Sequence, residues 1–175
     1  AVMSFRDMES VDLSGAALVG IDLRYGLMMN TNFAGASLRG ARLASGMKLG
    51  EVEEVSSAPP DIDSLLVGAN LSNADLCDAE LTGAVAPEVT WAGADLRGAR
   101  AVGVWFVEAD LAGCAFTGAT LHRAIMLGVQ AQGLDFDGVH GEDLIAVNGH
   151  FQGASFAEAE LKQSLWHDAE VEGAS

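Results

Sequence analysis

The sequence has few of the basic residues on which nucleic-acid binding depends. Only 9 of its 175 residues are Lys or Arg, against 25 Asp and Glu, and the formal net charge is −16. Direct binding of a phosphate backbone needs clustered cations, and this chain would repel phosphate. We therefore expect no direct nucleic-acid binding, and we expect any charged partner to be basic.

Long apolar runs and a leader pattern are also missing. No run of 18 apolar residues occurs, and the N-terminus has no charged segment followed by an apolar one. These absences predict a cytoplasmic protein without membrane contact. The two cysteines, Cys77 and Cys114, form no CxxC or Cys/His pattern, so neither a disulfide nor a zinc site is expected.

Catalytic motifs are equally absent. The chain contains no GxGxxG sequence opening a helix, no P-loop, no HExxH and no GxSxG. We predict a protein that is not an enzyme and that has no cofactor, no catalytic residue and no metal ligand. With 50% hydrophobic but only 6% aromatic residues, it can still bury a core of small and medium side chains. A length of 175 residues fits one domain spanning 1–175.

A five-residue repeat dominates the sequence. Its central Leu or Phe, the marker, recurs from 13 to 43 and again, without a slip, from 66 to 171. A period of five fits neither an α-helix nor an alternating strand, so the chain must turn every five residues. We expect the marker and the small residue two before it to point inward, the marker's neighbours to point outward, and Gly, Asn or Asp to occupy the corner. Clear copies are Ala36-Ser-Leu-Arg-Gly40, Ala74-Asp-Leu-Cys-Asp78 and Ala94-Asp-Leu-Arg-Gly98.

These copies resemble the pentapeptide-repeat family, whose consensus is similar to A(D/N)LxG. The resemblance covers nearly the whole chain outside 46–63. It implies an all-β fold, a right-handed quadrilateral parallel β-helix in which four pentapeptides form one square coil. About eight such coils are expected, forming a rod roughly 38 Å long at the usual strand spacing.

One face of the square rod is predicted to be apolar on its outside. Large apolar residues flank the marker at a spacing of 20, whereas no apolar residue larger than Ala was found immediately before the marker on the other three faces. We predict that these residues form an interface. They are Leu27, Met29, Leu65, Val67, Val85, Trp105, Val107, Ile125, Leu127, Ile145, Val147 and Leu165.

The repeat is interrupted once, near 46–63, by 18 residues that we interpret as an acidic loop inserted at the corner entering the apolar face. A Pro59-Pro60 pair opposes regular structure there. The loop is either a solvated excursion or a contact loop, since loops on rigid scaffolds often carry recognition. Its candidate contact residues are Glu51, Glu53, Glu54, Asp61 and Asp63.

An apolar surface of this length should be covered, and the sequence leaves open what covers it. The loop or a terminus could fold over part of it, or a different protein or a membrane surface could bind it; the acidic charge argues against anionic lipid. The preferred hypothesis is a homodimer in which two such faces pack together, within a non-catalytic interaction module that also binds a protein partner.

The family resemblance implies an alternative. Well-understood members mimic the width and acidity of a DNA duplex and bind DNA gyrase or another type II topoisomerase, which confers resistance to quinolones or gyrase-directed toxins. This chain departs from them in three ways. Its repeats run on to Val171 instead of giving way to a dimerising helix. Ala and Leu replace much of their Cys and Phe, and no second recognition loop can be matched. Much of its charge lies in alternating ladders and one loop instead of two continuous phosphate-like rows.

Overall fold

The marker residues form the axis of the rod. The computed structural model describes residues 8–24, 26–43 and 66–175. Most markers in this part of the chain are buried, as are most of the small residues two positions earlier; Ala69 and Leu71 are 1% and 0% exposed. The markers of the first half-coil and of the last coil are half-buried or, at Val171, exposed. Residues beside the markers are mostly exposed or half-buried. The inward and outward positions predicted from the period of five are therefore confirmed.

Each coil contains 20 residues and stacks on the next in parallel. On one face the backbone forms a four-stranded parallel sheet of β1 (Trp105–Val107), β2 (Ile125–Leu127), β3 (Ile145–Val147) and β4 (Leu165–His167), in that order. The other three faces are built from single parallel bridges between residues 20 apart, such as Thr90 to Asp110. The fold is the expected right-handed quadrilateral β-helix. The described residues contain no helix that could cross a membrane.

The register of the coils continues across the interruption. Three bridges join residues 38 apart, from Asn32 to Asn70, from Ser37 to Asp75 and from Arg42 to Glu80. The excess over 20 equals the 18-residue insertion predicted from the markers. The inserted segment itself lies outside the described residues.

A side-chain hydrogen bond explains why Asp and Asn recur immediately before the marker. The carboxylate of Asp12 accepts a hydrogen bond from the backbone N–H of Ser14 at 3.0 Å, and Asp110 accepts one from Ala112 at 3.1 Å. This two-residue contact mimics a turn and satisfies a backbone donor near each corner. Val, Trp and Ile cannot accept such a bond, and the apolar face, where they stand, carries the continuous three-residue strands.

The corners require left-handed backbone. Most are glycines, such as Gly113 at φ 63° and Gly153 at φ 68°. Several are charged residues in the same conformation, including Glu88 at φ 56° and Glu108 at φ 53°. A non-glycine residue pays roughly 1–2 kcal/mol for this conformation. Glutamate at these two corners is therefore unfavourable for the backbone.

Candidate functional site

The structure brings the predicted interface residues together in two parallel columns, which we call the apolar face. In one column Val85 bridges to Trp105, and the strand register carries it on through Ile125 and Ile145 to Leu165. In the other, Val107 pairs with Leu127 and then with Val147. Backbone bonds place Met29 and Val67 before them: the N–H of Asn30 donates to the carbonyl of Val67 at 2.9 Å.

The side chains of this face are accessible. Trp105 is 43% exposed and Leu165 is 53% exposed, and the other described members, including Leu27, are exposed or half-buried. Pro87 joins the second column although it was not among the predicted interface residues, and His167 ends that column. Leu65 lies outside the described residues, as do the loop residues Glu51, Glu53, Glu54, Asp61 and Asp63. Their roles stay predictions.

Two rows of corner residues border the apolar face. The corner after the face carries Glu88, Glu108 and Asp168, which we call the acidic rim, with Gly68, Gly128 and Asn148 in the same row. The opposite corner carries Arg123, Asp143 and Gln163, which we call the Arg123 rim, preceded by Gly83 and Gly103.

The rims differ in how their charges are compensated. Arg123 pairs with Asp143 at 3.8 Å within the Arg123 rim. Within the described ranges neither Glu88 nor Glu108 contacts a cation. Sequence reasoning missed these two residues, although a Glu in a corner position that Gly occupies one coil away is a readable signal.

The described arginines of the polar faces are paired with carboxylates within the chain. Arg42 lies 3.9 Å from Asp22, and Arg100 lies 3.4 Å from Glu80 one coil earlier. Such exposed pairs contribute only tenths of a kcal/mol each. His122 accepts a hydrogen bond from the backbone N–H of Glu142 at 3.1 Å, so its ring nitrogen serves the backbone. These contacts support the stacking of the coils.

A cysteine is enclosed by carboxylates on another face. Asp75, Cys77 and Asp95 place one ligand atom each within 4.8 Å of one another. Burial, together with hydrogen bonds to the two carboxylates, raises the pKa of Cys77 to about 11. The guanidinium of Arg97 bonds Asp95 at 2.8 Å and lowers the pKa of that carboxyl to about 2. The thiolate that a metal site needs is therefore disfavoured.

We expect both thiols to react slowly in the folded protein. Burial also raises the pKa of Cys114, to about 12. Because the thiolate is the reactive form, at pH 8 the folded protein should react with a disulfide reagent at least about a hundredfold more slowly than the urea-unfolded chain. Asp95→Asn should speed the reaction of Cys77 and leave Cys114 unchanged. Equal rates for folded and unfolded protein would contradict the enclosed geometry.

A second apolar area lies at the C-terminal end of the rod. Phe156, Leu161, Trp166 and Val171 line an open cavity of about 360 Å³ in the last coil. Unlike the apolar face, this area is built from core positions. It offers a separate place for end-to-end contact, which any test of the apolar face must distinguish.

Comparison with known proteins agrees with the architecture. The family model for pentapeptide repeats matches eight copies, over residues 7–45, 62–85, 78–111 and 106–140. No functionally curated protein matches this chain.

Several solved structures are similar in fold. HetL, a pentapeptide repeat protein involved in heterocyst differentiation regulation from the cyanobacterium Nostoc sp. strain PCC 7120, is 22% identical over 98% of this chain and 87% of its own, with a TM-score of 0.46. Rfr23 from Cyanothece 51142 is 17% identical over 97% and 90%, with a TM-score of 0.49. QnrB1, a plasmid-mediated fluoroquinolone resistance protein, is 11% identical over 97% and 88%, with a TM-score of 0.43. The repeat match covers more than half of the sequence and coincides with the observed coils, and the chain therefore belongs to the pentapeptide-repeat family.

Proposed function

We propose that this chain is a non-catalytic protein-interaction module, an acidic rod that self-associates through the apolar face and binds a protein partner with its remaining surface. The observation that carries the proposal is the continuity of two exposed apolar columns along the stacked coils. The other faces carry mainly polar, charged or small side chains, and their arginines are paired with carboxylates.

The size and flatness of the apolar face favour a second copy as its cover. A ladder some 30 Å long is comparable to the largest apolar patch of a monomer, roughly 300–600 Å², and such patches often mark interaction sites. Flat sheets pack well on each other at a separation of about 10 Å. A two-fold axis lets the same patch serve both copies.

Introducing charge on the apolar face tests self-association. The double variant Trp105→Glu, Ile125→Glu should be folded and monomeric in sedimentation experiments in which the wild-type protein is dimeric, because each copy would bury two unpaired carboxylates. The matched control is Val102→Glu, Thr120→Glu, which adds the same charges to a polar face of the same coils and should leave the dimer intact.

The outcomes distinguish cover of the apolar face by a second copy from the other arrangements. A wild-type dimer that survives the double variant would overturn the proposal and point to end-to-end contact through the C-terminal cavity. A monomer in which Trp105 fluoresces as a buried indole, measured in a Trp91→Phe, Trp166→Phe background, would overturn it in favour of cover by another part of the chain.

The partner-binding part of the proposal rests on charge. The segment 49–96 contains ten acidic and no basic residues, including the loop residues. Basic protein surfaces would therefore associate with this part of the rod faster at low salt. Removal of 46–63 should abolish binding of such a partner without changing self-association, and unchanged partner binding would exclude the loop as the contact.

A DNA-mimicking inhibitor of a type II topoisomerase is a second candidate, favoured by the net charge of −16. It predicts that micromolar protein inhibits gyrase supercoiling, or protects gyrase from a quinolone, with an effect that fades at high salt. No effect at low salt would exclude it. We prefer the first proposal because it uses the apolar face, which DNA mimicry leaves unexplained.

A further inference from the structure

We propose that the two self-associated copies lie side by side with their rods parallel, so that the acidic rim of each copy faces the Arg123 rim of the other. This inference rests on the proposed function, because it specifies the geometry of contact through the apolar face. It identifies Glu108 and Arg123 as the residues that set the orientation.

The apolar columns alone are small for a stable dimer. A standard interface buries about 800 Å² on each partner, more than the roughly 300–600 Å² of a large apolar patch on a monomer. The residues that border the columns must therefore enter the contact as well. On this rod those residues are the acidic rim and the Arg123 rim.

Two flat faces related by a two-fold axis can meet in two ways. An axis along the rods gives parallel rods and places each rim against the opposite rim of the second copy. An axis across the rods gives antiparallel rods and places each rim against itself. The parallel arrangement also fixes the register, because each coil then meets the same coil of the second copy.

The charges favour the parallel arrangement. Antiparallel rods would bring the acidic rims together, and like charges across an interface are strongly unfavourable. In parallel rods Glu108 lies between Gly103 and Arg123 of the second copy, and only Arg123 has a side chain that can reach it. Arg123 follows Glu108 by 15 residues, three quarters of a coil, so the axial offset is about 3.6 Å at the strand spacing. By the same geometry Asn148 lies between Asp143 and Gln163 of the second copy and can donate a hydrogen bond to Asp143.

The glutamates of the acidic rim combine two unfavourable features. Glu88 and Glu108 both have positive φ and occupy consecutive coils of one corner row, which places like charges near each other without a cation among the described residues. Gly68 and Gly128 occupy the same row, and they have neither the cost of positive φ in a non-glycine residue nor the repulsion between like charges. Residues that violate local rules in this way are often retained for interactions. An arginine of a second copy compensates Glu108.

A charge swap tests the contact. Glu108→Lys and Arg123→Glu should each weaken the dimer, raising its dissociation constant about tenfold, and the two changes together should restore it to within about threefold of wild type. Glu88→Lys is the matched control, because Glu88 shares the corner geometry but faces the glycines Gly83 and Gly103 of the second copy. Combined with Arg123→Glu it should give no rescue. Absence of rescue by Glu108→Lys, or equal rescue by Glu88→Lys, would overturn the pairing.

Spin labels measure the orientation directly. Asn30→Cys and Gln163→Cys place single labels near the two ends of the apolar face, in a Cys77→Ala, Cys114→Ala background. Alanine occupies the equivalent repeat positions at Ala157 and Ala94. Parallel rods predict label-to-label distances below roughly 25 Å at both sites, given a sheet separation of about 10 Å. The two sites lie almost six coils apart, about 28 Å at the strand spacing, so antiparallel rods predict a distance above about 28 Å for at least one site.

The distances and the molar mass separate failure of this inference from failure of the proposed function. A distance between about 25 and 50 Å at either site would overturn the parallel arrangement, while self-association through the apolar face would stand. A short distance at Gln163→Cys with one above about 50 Å at Asn30→Cys would indicate end-to-end contact and would overturn both. A monomeric mass would also overturn both.

Discussion

Phe116→Ala should destabilise the protein by about 3–5 kcal/mol. Phe116 is 0% exposed, its ring stacks on that of Phe136 with centroids 5.5 Å apart, and it meets the edge of Phe106 at 6.0 Å. Truncation leaves a cavity that the coils on either side cannot fill without breaking the strand register. The free energy of unfolding should be measured by urea titration with circular dichroism.

The control for this change is Thr117→Ala in the same repeat. Thr117 is exposed and its hydroxyl donates to Asp135 at 2.7 Å, so its loss should cost no more than about 1 kcal/mol. Because each coil of a solenoid contacts only its neighbours, the Phe116 variant should also unfold less cooperatively. A loss below about 1 kcal/mol for Phe116→Ala would contradict the packed axis described above.

Gly149→Ala should cost about 1–3 kcal/mol although it replaces glycine with the residue most common at this position of the repeat. A Cβ at Gly149 would overlap Cε2 of Phe151 and would lie 3.1 Å from Cγ2 of Val129. The small residue and the large marker of this repeat therefore compensate each other in volume. Phe151→Leu alone should cost about 1–2 kcal/mol by opening a cavity.

The double variant Gly149→Ala, Phe151→Leu restores the commoner Ala-x-Leu pattern and should be more stable than the sum of the single effects by at least about 1 kcal/mol. Gly153→Ala provides a contrast, since a Cβ there meets nothing within 4 Å and its cost comes only from φ +68°. Additive effects at Gly149 and Phe151 would show that the site relaxes freely and would contradict the close fit.

Much of the fold could be predicted because each five-residue repeat forms one side of the square coil. A small residue and a marker at fixed spacing specify inward positions, so Ala69 and Leu71 could be placed in the core without coordinates. The 20-residue spacing of large apolar residues placed Trp105, Ile125 and Ile145 on one face. The 18-residue insertion followed from the shift in the marker positions.

Other features depend on contacts between coils that no five-residue pattern contains. Cys77 occupies an outward position yet is buried, because Asp75 and Asp95 enclose it. The ring of His122 accepts a hydrogen bond from the backbone N–H of Glu142 in the next coil, a contact that no five-residue pattern contains. That Glu88 and Glu108 contact no cation among the described residues could not be predicted, because it depends on which carboxylates the arginines contact.

The measurement that tests the central claim most directly is the molar mass of the wild-type protein in solution, by light scattering at low and high salt. Self-association through the apolar face predicts twice the chain mass of 18.1 kDa at both salt concentrations, because burial of apolar surface is not screened. A mass of one chain throughout the micromolar range would contradict the account. A dimer that dissociates completely at high salt would also contradict it, because the charges and not the apolar columns would then hold the copies together.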